Sequence, residues 1–327
     1  MNLNKSFPYI VKETLEIQSH IPEPPISKRE FLRQCASKKQ DESRSPAQLC
    51  FQNPPLPGSD SGNFVSIKII QALHVGYEKR SQILRVRRED SSNLRCPPTN
   101  QDIIAKIYDP LYHDYDISDD DPFRGADYDY THECAAYTHL SDLQGTVIPK
   151  FFGSYTLKLR FGDSFRLVRL VLLDWINGPS MNQLKPTDFS RQERQEIMKQ
   201  IVDAESSLYT KNVSHEDLRP QNVVLDRSSS KGLRVVIIDL GKSVIGRSRN
   251  PSDSQLENRY LPGVAISPLL RWNVVFRRHG HFQDWIDWPW QSWLEEQYKD
   301  TEATITEEQR AVWKIYDWML ESKPPPS

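Results

Sequence analysis

Cysteine is scarce in this chain of 327 residues, which contains only four. Cys35, Cys50, Cys96 and Cys134 are widely spaced, form no CxxC pair and have no neighbouring histidine at zinc-ligand spacing. This spacing argues against a zinc knuckle and against a secreted disulfide scaffold. Long apolar runs and a signal peptide are also missing. We therefore expect a soluble intracellular protein, cytoplasmic or nuclear, without a membrane partner.

An excess of charge of either sign is missing as well. The chain has 42 Lys and Arg residues against 44 Asp and Glu residues, for a formal net charge of -2. No global field attracts a polyanion, so nucleic acid is not an expected partner. What is present is enough apolar material, 37% of residues with eight tryptophans, to bury the core of a two-lobed domain or of two small ones.

Residues 1–62 contain two proline clusters and end in serine and glycine, which predicts a flexible and mostly irregular arm with a short helix at Lys28 to Ala36. Order is expected from residue 63. Residues 63–174 predict a β-rich lobe, in which the acidic stretch 109–129 is expected to be a solvated insertion. Residues 175–327 predict a connecting hinge and a mainly helical lobe.

Hydrophobic patterning predicts the individual elements. Strands are predicted over residues 64–75, 81–88, 102–108, 151–157, 165–174, 222–226 and 233–239. Helices are predicted over residues 131–143, after the capping box of Ser190 and Glu193, and over 306–320. Strands that come first and helices that follow predict an α+β chain.

The segment HEDLRPQN, from His215 to Asn222, carries the clearest chemical signal. It matches a catalytic-loop pattern in which an Asp and an Asn lie five residues apart on one tight loop. In phosphoryl transfer such an Asp (here Asp217) orients the attacking hydroxyl, and such an Asn (Asn222) offers an oxygen to Mg²⁺. Arg219 has the fork of donors that binds a phosphate.

Three further positions complete this pattern. Asp239 follows the apolar run VVII and precedes Leu-Gly. Lys106 lies inside the apolar strand IIAKIY, where a charge is costly unless an anion meets it. Glu133, expected at the start of the following helix, is the predicted partner of Lys106.

The order Lys106, Glu133, HEDLRPQN, DLG resembles the protein-kinase-like superfamily, over roughly residues 64 to 320. The stretches IAKIYDPLY, ISPLLRW and DWPWQSWLEE are similar to those of fungal kinase-like proteins. The resemblance implies a two-lobed kinase fold and use of ATP and Mg²⁺.

The resemblance also implies roles for individual residues. Asp217, Arg219 and Lys106 would be catalytic, and Asn222 and Asp239 would hold the metal. The resemblance implies that nucleotide contacts come from residues that surround the base and phosphates: Lys106, Glu133, Gly76, Leu173, Asp174 and Trp175.

The chain departs from the family pattern in several places. The turn expected to cover the phosphates has only Gly76, and Glu216 stands where many protein kinases have an arginine. An Ala-Pro-Glu motif is missing, and only residues 242–327 follow Gly241, which is short for a lobe that holds peptides. These departures predict an atypical kinase.

Structural explanations compete with the functional ones. If these residues have no catalytic role, Asp239 only ends a strand and Lys106 extends to solvent from an edge strand. Glu133 is then an acidic residue in the first turn of a helix, stabilised by the helix dipole. His215 is more simply a residue that braces the backbone, and the tryptophans of residues 272–293 are more simply core.

Three functions are therefore compared. The first is phosphotransfer from ATP to a protein Ser/Thr hydroxyl, and the second is the same reaction on a small-molecule hydroxyl, as in aminoglycoside or choline kinases. The third is a pseudokinase scaffold. Nothing in the sequence indicates an oligomeric state.

Overall fold

The computed structural model describes residues 7–36, 44–89, 99, 101–113, 121–227, 232–246 and 264–321. The chain divides into two compact units. Unit 1 contains the described residues of Met1–Gly145, Pro149–Trp175 and Asp239–Lys242. Unit 2 contains those of Thr146–Ile148, Ile176–Ile238 and Ser243–Ser327.

Unit 1 is built on a closed sheet of six antiparallel strands. These strands are β1 (Thr14–Ile21), β2 (Ser59–His74), β3 (Gln82–Arg88), β4 (Asp102–Tyr108), β5 (Phe151–Phe161) and β6 (Ser164–Asp174). They follow the order β1-β2-β3-β4-β6-β5, and Ile17 of β1 lies opposite Val65 of β2 and Leu157 of β5. Because β1 pairs on both sides, the sheet has no unpaired edge.

Strand β1 corrects the prediction of an irregular arm over residues 1–62. The predicted helix at Lys28 to Ala36 is present as α1 (Lys28–Ala36), and α2 (Pro46–Gln52) follows it. The prediction was wrong for β1, in which Leu15 and Ile17 are buried and alternate with exposed residues. Both proline clusters come after this strand in the chain. Its pairing partners on β2 and β5 are distant in sequence, so local composition did not reveal it.

Helix α3 (Pro122–His139) corrects the predicted acidic insertion over 109–129 in its last part; residues 114–120 lie outside the described residues. Asp121 is the N-cap, its carboxylate accepts two backbone N–H groups of the first turn, and Pro122 follows it. Acidic residues are favoured at a helix N-terminus, so the acidic run favours the start of a helix here.

Unit 2 is mainly helical. Its helices are α4 (Arg191–Thr210), α5 (Pro268–Arg271), α6 (Trp290–Gln297), α7 (Glu307–Val312) and α8 (Asp317–Glu321). Its strands are β7 (Val213–Ser214), β8 (Val223–Asp226), β9 (Arg234–Ile237) and β10 (Val244–Ile245), which pair as β8-β9 and β7-β10. The predicted capping box of Ser190 and Glu193 starts α4.

The core of unit 2 is rich in tryptophan. Trp272, Trp285, Trp288, Trp290 and Trp293 are buried in one cluster with α4, β8 and β9, which supports the prediction that they are core residues. The single helix predicted over residues 306–320 was wrong, because α7 and α8 are separate. Between them Trp313 is buried beside Tyr209 and Ile266, and this packing outweighs local periodicity.

The structure therefore confirms mixed α+β content. The two-lobed kinase arrangement remains a prediction. Among the described residues, Cys35, Cys50 and Cys134 form no disulfide, and Cys96 lies outside the described residues. Within the described part of the chain, no helix has both the length and the apolar character needed to cross a membrane.

Candidate active site

Strand β4 places Lys106 on the outer face of the closed sheet. Its neighbours Ala105 and Ile107 are fully buried inside, so the alternation of a strand turns Lys106 the other way. Its Nζ lies 2.5 Å from Oε2 of Glu133 and 2.6 Å from Oδ1 of Asp239. The contact with Glu133 was predicted, whereas the contact with Asp239 was not.

Glu133 and Lys106 are far less exposed than Asp239. The side chains are 0%, 8% and 43% exposed, respectively. Burial by itself lowers the pKa of Lys106, but the carboxylates of Asp239 and Glu133 outweigh it and raise that pKa above its ordinary value. Burial raises the pKa of Glu133 against the opposing effect of Lys106. The lysine therefore stays charged between two carboxyl groups.

Tyr108 adds a contact that the sequence did not suggest. It lies two residues after Lys106, on the same face of β4, and its hydroxyl donates to Oε2 of Glu133. Glu133 lies near the middle of α3, not in its first turn as expected, so the helix dipole does not explain its position. Its Oε1 is buried and has no hydrogen-bond partner among the described residues.

A second ion pair lies one helical turn before Glu133. The guanidinium of Arg80 donates to both oxygens of Asp129, with Nη2 3.0 Å from Oδ1. Asp129 also packs against Gly241, where a Cβ would lie 3.3 Å from the Cβ of Asp129. Asp129 thus contacts the backbone beside Asp239, which explains the small residue in the DLG triplet.

In unit 2 the HEDLRPQN segment forms a tight loop between β7 and β8. Nδ2 of Asn222 donates to the main-chain oxygen of Asp217 at 2.8 Å and to its Oδ2 at 3.3 Å. Nε of Arg219 donates to Oδ1 of Asp217 at 2.7 Å. Asp217 and Asn222 thus lie on one tight loop, as their spacing predicts, whereas the contact of Arg219 with Asp217 was not predicted.

His215 braces this loop. Nδ1 lies 3.3 Å from the backbone nitrogen of Asp217, and Nε2 lies 2.9 Å from the carbonyl oxygen of Ile238. Because Nδ1 accepts the N–H of Asp217, the ring proton lies on Nε2 and is donated to Ile238. His215 thus connects the loop to the residue that precedes Asp239 in the chain, as expected of a bracing histidine.

Two residues of the candidate site have left-handed backbone conformations. The φ angles are 57° at Glu216 and 64° at Asp239. For residues with a side chain such conformations cost on the order of 1–3 kcal/mol and cluster at functional sites. Glu216 is also fixed by the hydroxyl of Ser214, which donates to its Oε1 at 2.5 Å.

The predicted nucleotide contacts other than Lys106 and Glu133 lie at the ends of strands. Leu173 and Asp174 end β6, and the Trp175 ring lies 4.8 Å from the guanidinium of Arg85. Gly76 follows β2, where the side chain of Gln82 bonds both its N–H, at 2.7 Å, and its carbonyl, at 2.9 Å. The predicted roles of Gly76, Leu173, Asp174 and Trp175 in nucleotide binding therefore stay predictions.

The predicted residues thus form two groups, each within one unit. The group in unit 1 is Lys106, Glu133, Asp239, Gly76, Leu173, Asp174 and Trp175, and the group in unit 2 is Asp217, Arg219 and Asn222. Sequence reasoning missed Tyr108 and Asp129. Their spacing was a usable signal, because each lies on the same face of its element as Lys106 or Glu133.

Each group keeps polar atoms that its own contacts do not use. In unit 2, Asn222 uses its amide nitrogen in both of its bonds to Asp217, so these bonds do not engage its amide oxygen. In unit 1, Asp239 presents a partly exposed carboxylate, and two of the three N–H donors of Lys106 face carboxylates.

A family model, the protein kinase domain, matches residues 160–266. The match includes the HEDLRPQN loop and the DLG triplet, but not Lys106 or Glu133. It supports a relationship with the protein-kinase-like superfamily and a kinase-type transferase activity. Among curated proteins, none matches this chain.

Proposed function

We propose that the protein is an ATP-dependent phosphotransferase that transfers the γ-phosphate of Mg-ATP to a hydroxyl, in the first place that of a protein serine or threonine. The observation that carries this proposal is Lys106, a buried ammonium group paired with buried Glu133 and with the more exposed Asp239. Burying a charged group costs free energy. The presence of the buried ammonium group of Lys106 therefore favours a functional role for it. The match to the protein kinase domain supports the type of reaction.

On this proposal Asp217 orients the acceptor hydroxyl and takes up its proton, with Arg219 fixing the carboxylate and contacting the transferring phosphate. Asn222 and Asp239 hold Mg²⁺, which when bound neutralises charge on the phosphates. Lys106 orients the same phosphates.

The nucleotide base and phosphate contacts are part of the same proposal. Backbone groups of Leu173, Asp174 and Trp175 meet the adenine, and Gly76 lies over the phosphates. Glu133 orients Lys106, because its buried Oε2 accepts from both Lys106 and Tyr108.

The test is Mg²⁺-dependent production of ADP by the full chain. Asp217→Ala is expected to lower the rate by roughly 10²- to 10⁴-fold, the usual contribution of a general base. Asp239→Asn removes a proposed metal ligand and is expected to abolish the Mg²⁺-dependent production of ADP. Asp163→Asn, at an exposed hairpin turn, is the matched control and should keep the full rate. A folded wild-type protein that produces no ADP with any acceptor would refute the proposal.

One observation favours a nucleotide-binding scaffold as the second candidate. The side chain of buried Gln82 occupies the N–H of Gly76, the backbone donor that a phosphate would need. Gln82→Ala frees this donor. A scaffold would bind Mg-ATP without producing ADP, and Gln82→Ala would not create turnover.

The acceptor is a separate question, because the proposed chemistry at Asp217 is the same for a protein hydroxyl and for a small-molecule hydroxyl. Incubation with labelled ATP, followed by separation of labelled protein from labelled small molecules, distinguishes the two. We also propose kinship with fungal kinase-like proteins on the stretches IAKIYDPLY, ISPLLRW and DWPWQSWLEE. A search of fungal sequences for these three stretches in one chain tests it.

A further inference from the structure

Unit 2 contains a cavity of about 400 Å³ beside the HEDLRPQN loop. His215, Glu216 and Leu218 line it, and these residues flank Asp217 in the chain. A ligand in this cavity therefore lies next to the loop that carries the proposed base. The volume is within the range of small-ligand sites, at its lower end.

The cavity has an aromatic wall. Trp272 and Trp313 line it and are otherwise buried, with exposed fractions of 1% and 4%. Phe276 completes the wall and meets Trp313 edge to face, with ring centroids 5.2 Å apart. Aromatic side chains bind apolar or aromatic groups of a ligand most favourably.

A charged cluster adjoins the cavity, in which Glu205 and Arg278 are lining residues and fully buried Arg271 contacts Glu205. Oε1 of buried Glu205 accepts from Nη2 of Arg271 and lies 3.5 Å from Nη1 of Arg278, and its Oε2 accepts from Nε1 of Trp272 at 3.0 Å. Burial would raise the pKa of Glu205, but Arg271 and Arg278 outweigh it and lower that pKa. Two guanidinium groups thus share one ionised carboxylate, which leaves a net positive charge.

The remaining lining adds one more guanidinium and one carboxylate. Arg277 and His281 are exposed lining residues, and Arg277 has a left-handed φ of 54°. Glu216 contributes the opposing carboxylate. With Arg271 counted beside the lining residues, three guanidinium groups stand against two carboxylates. A guanidinium has five N–H donors and can bind more than one acceptor.

We propose that this cavity binds a ligand in which an anionic group, a carboxylate or a phosphate, is joined to an apolar or aromatic body. If the proposed phosphotransferase function is correct, this ligand is the acceptor, and the cavity selects acceptors of this class. The aromatic wall binds the body, and Arg277 and Arg278 bind the anion.

The first test measures binding without turnover. Phenyl phosphate, benzoate, benzyl alcohol and benzylamine are titrated into the full chain by calorimetry, and quenching of tryptophan fluorescence reports the same site through Trp272 and Trp313. We expect the two anions to bind at least tenfold more tightly than the alcohol and the amine, since hydrogen bonds to charged groups are the stronger ones. Equal affinity for all four probes, or no binding, would overturn the inference.

Variants locate the site. Arg277→Gln and Arg278→Gln are expected to weaken phenyl phosphate binding by roughly tenfold each. Arg310→Gln, on an exposed position of α7 in the same unit, is the matched control. Because Arg278 contacts Glu205, the folding of Arg278→Gln is checked by circular dichroism. If Arg278→Gln misfolds, the test rests on Arg277→Gln alone. Unchanged affinity in Arg277→Gln would contradict the assignment.

A second arm tests the acceptor role. Serine peptides that differ only in aspartate or lysine beside a phenylalanine are compared for ADP production, along with phenyl-substituted small hydroxy acids. A lower KM for the acidic members, raised in Arg277→Gln without a change in the KM for ATP, supports the role. Probe binding without any ADP production would refute the proposed phosphotransfer and leave the anion site standing. ADP production with no probe binding would refute the anion site alone.

Discussion

Lys106 is stabilised by its partners, not by solvent. Its ammonium group is enclosed by Glu133 and Asp239, and Glu133 is fully buried with one oxygen that has no described partner. Removing one member of a buried ion pair leaves the other uncompensated, which costs more than the pair contributes. This residue therefore links stability to the proposed chemistry.

Lys106→Met should lower the free energy of unfolding by about 3–5 kcal/mol, because Glu133 is left buried without a cation. Lys106→Met combined with Glu133→Gln removes both charges, keeps an acceptor for Tyr108 and should restore at least half of the loss. Lys158→Met, on an exposed position of β5, should change the free energy by less than about 0.5 kcal/mol. Urea denaturation measures all three, and a single variant as stable as the wild type would contradict the argument.

Asp127 of α3 predicts a pH dependence. Burial raises its pKa to about 6, against the N–H of Leu56 and the charge of Arg169. The unfolded value is about 3.9, so the folded protein holds the proton more tightly, and the wild type loses stability as pH rises from about 4 to about 6. Asp127→Asn does not titrate.

The free energy of unfolding of Asp127→Asn should therefore rise relative to wild type by on the order of 2 kcal/mol between about pH 4 and about pH 7. Asp163→Asn is the exposed control and should show no such change. A constant difference between Asp127→Asn and wild type at both pH values would exclude this contribution.

At the scale of elements, hydrophobic periodicity and capping residues correctly predicted some helices and strands. Elements that depend on partners distant in sequence were missed. Strand β4 was predicted with its observed bounds, and the capping box of Ser190 identified the start of α4. Strand β1 was missed because its partners on β2 and β5 are distant in sequence. The start of α3 was missed because the acidic run that precedes it was interpreted as loop.

The candidate site was predictable to the same degree. Motif spacing identified Asp217, Asn222 and Asp239, since each belongs to a short contiguous segment. The contact of Lys106 with Asp239 was missed, because it joins residues far apart in the chain through the fold of unit 1. Asp129 was missed because the acidic run that contains it was interpreted as a loop, so its helical spacing from Glu133 was not used.

Strand β1 offers a prediction with an internal control. Ile17 is fully buried between β2 and β5, whereas Ile21, at the end of the same strand, is 68% exposed. Ile17→Ala should cost about 2–5 kcal/mol of unfolding free energy, and Ile21→Ala less than about 0.5 kcal/mol. Both changes remove the same atoms from a strand, so strand propensity cancels. Similar costs measured by thermal and urea denaturation would mean that β1 is not part of the folded core.

At the scale of the whole molecule, the net charge is too small to attract ligands over long distances. Binding is therefore expected to depend on specific contacts. The formal charge is -2, so long-range attraction of a polyanion is not expected. A ligand that binds only the native protein instead raises its stability by mass action. Mg-ATP is such a ligand on the proposed function, and its effect is measurable without knowing the acceptor.

Mg-ATP at about 100 times its Kd should add about 2.7 kcal/mol of stability, which corresponds to a rise in Tm of roughly 5 °C for a chain of this size. Asp239→Asn should lose the part of this rise that depends on Mg²⁺, and Lys106→Met should lose most of the rise, because each removes a group proposed to meet the metal or the phosphates. Asp163→Asn should retain all of it. Differential scanning fluorimetry with ATP, ATP plus EDTA, and AMP separates the contributions of metal and phosphate. An equal rise in Tm with EDTA and with Mg²⁺ would refute the proposed metal-binding role of Asn222 and Asp239. The absence of any rise would refute nucleotide binding, and with it both the phosphotransferase and the nucleotide-binding scaffold.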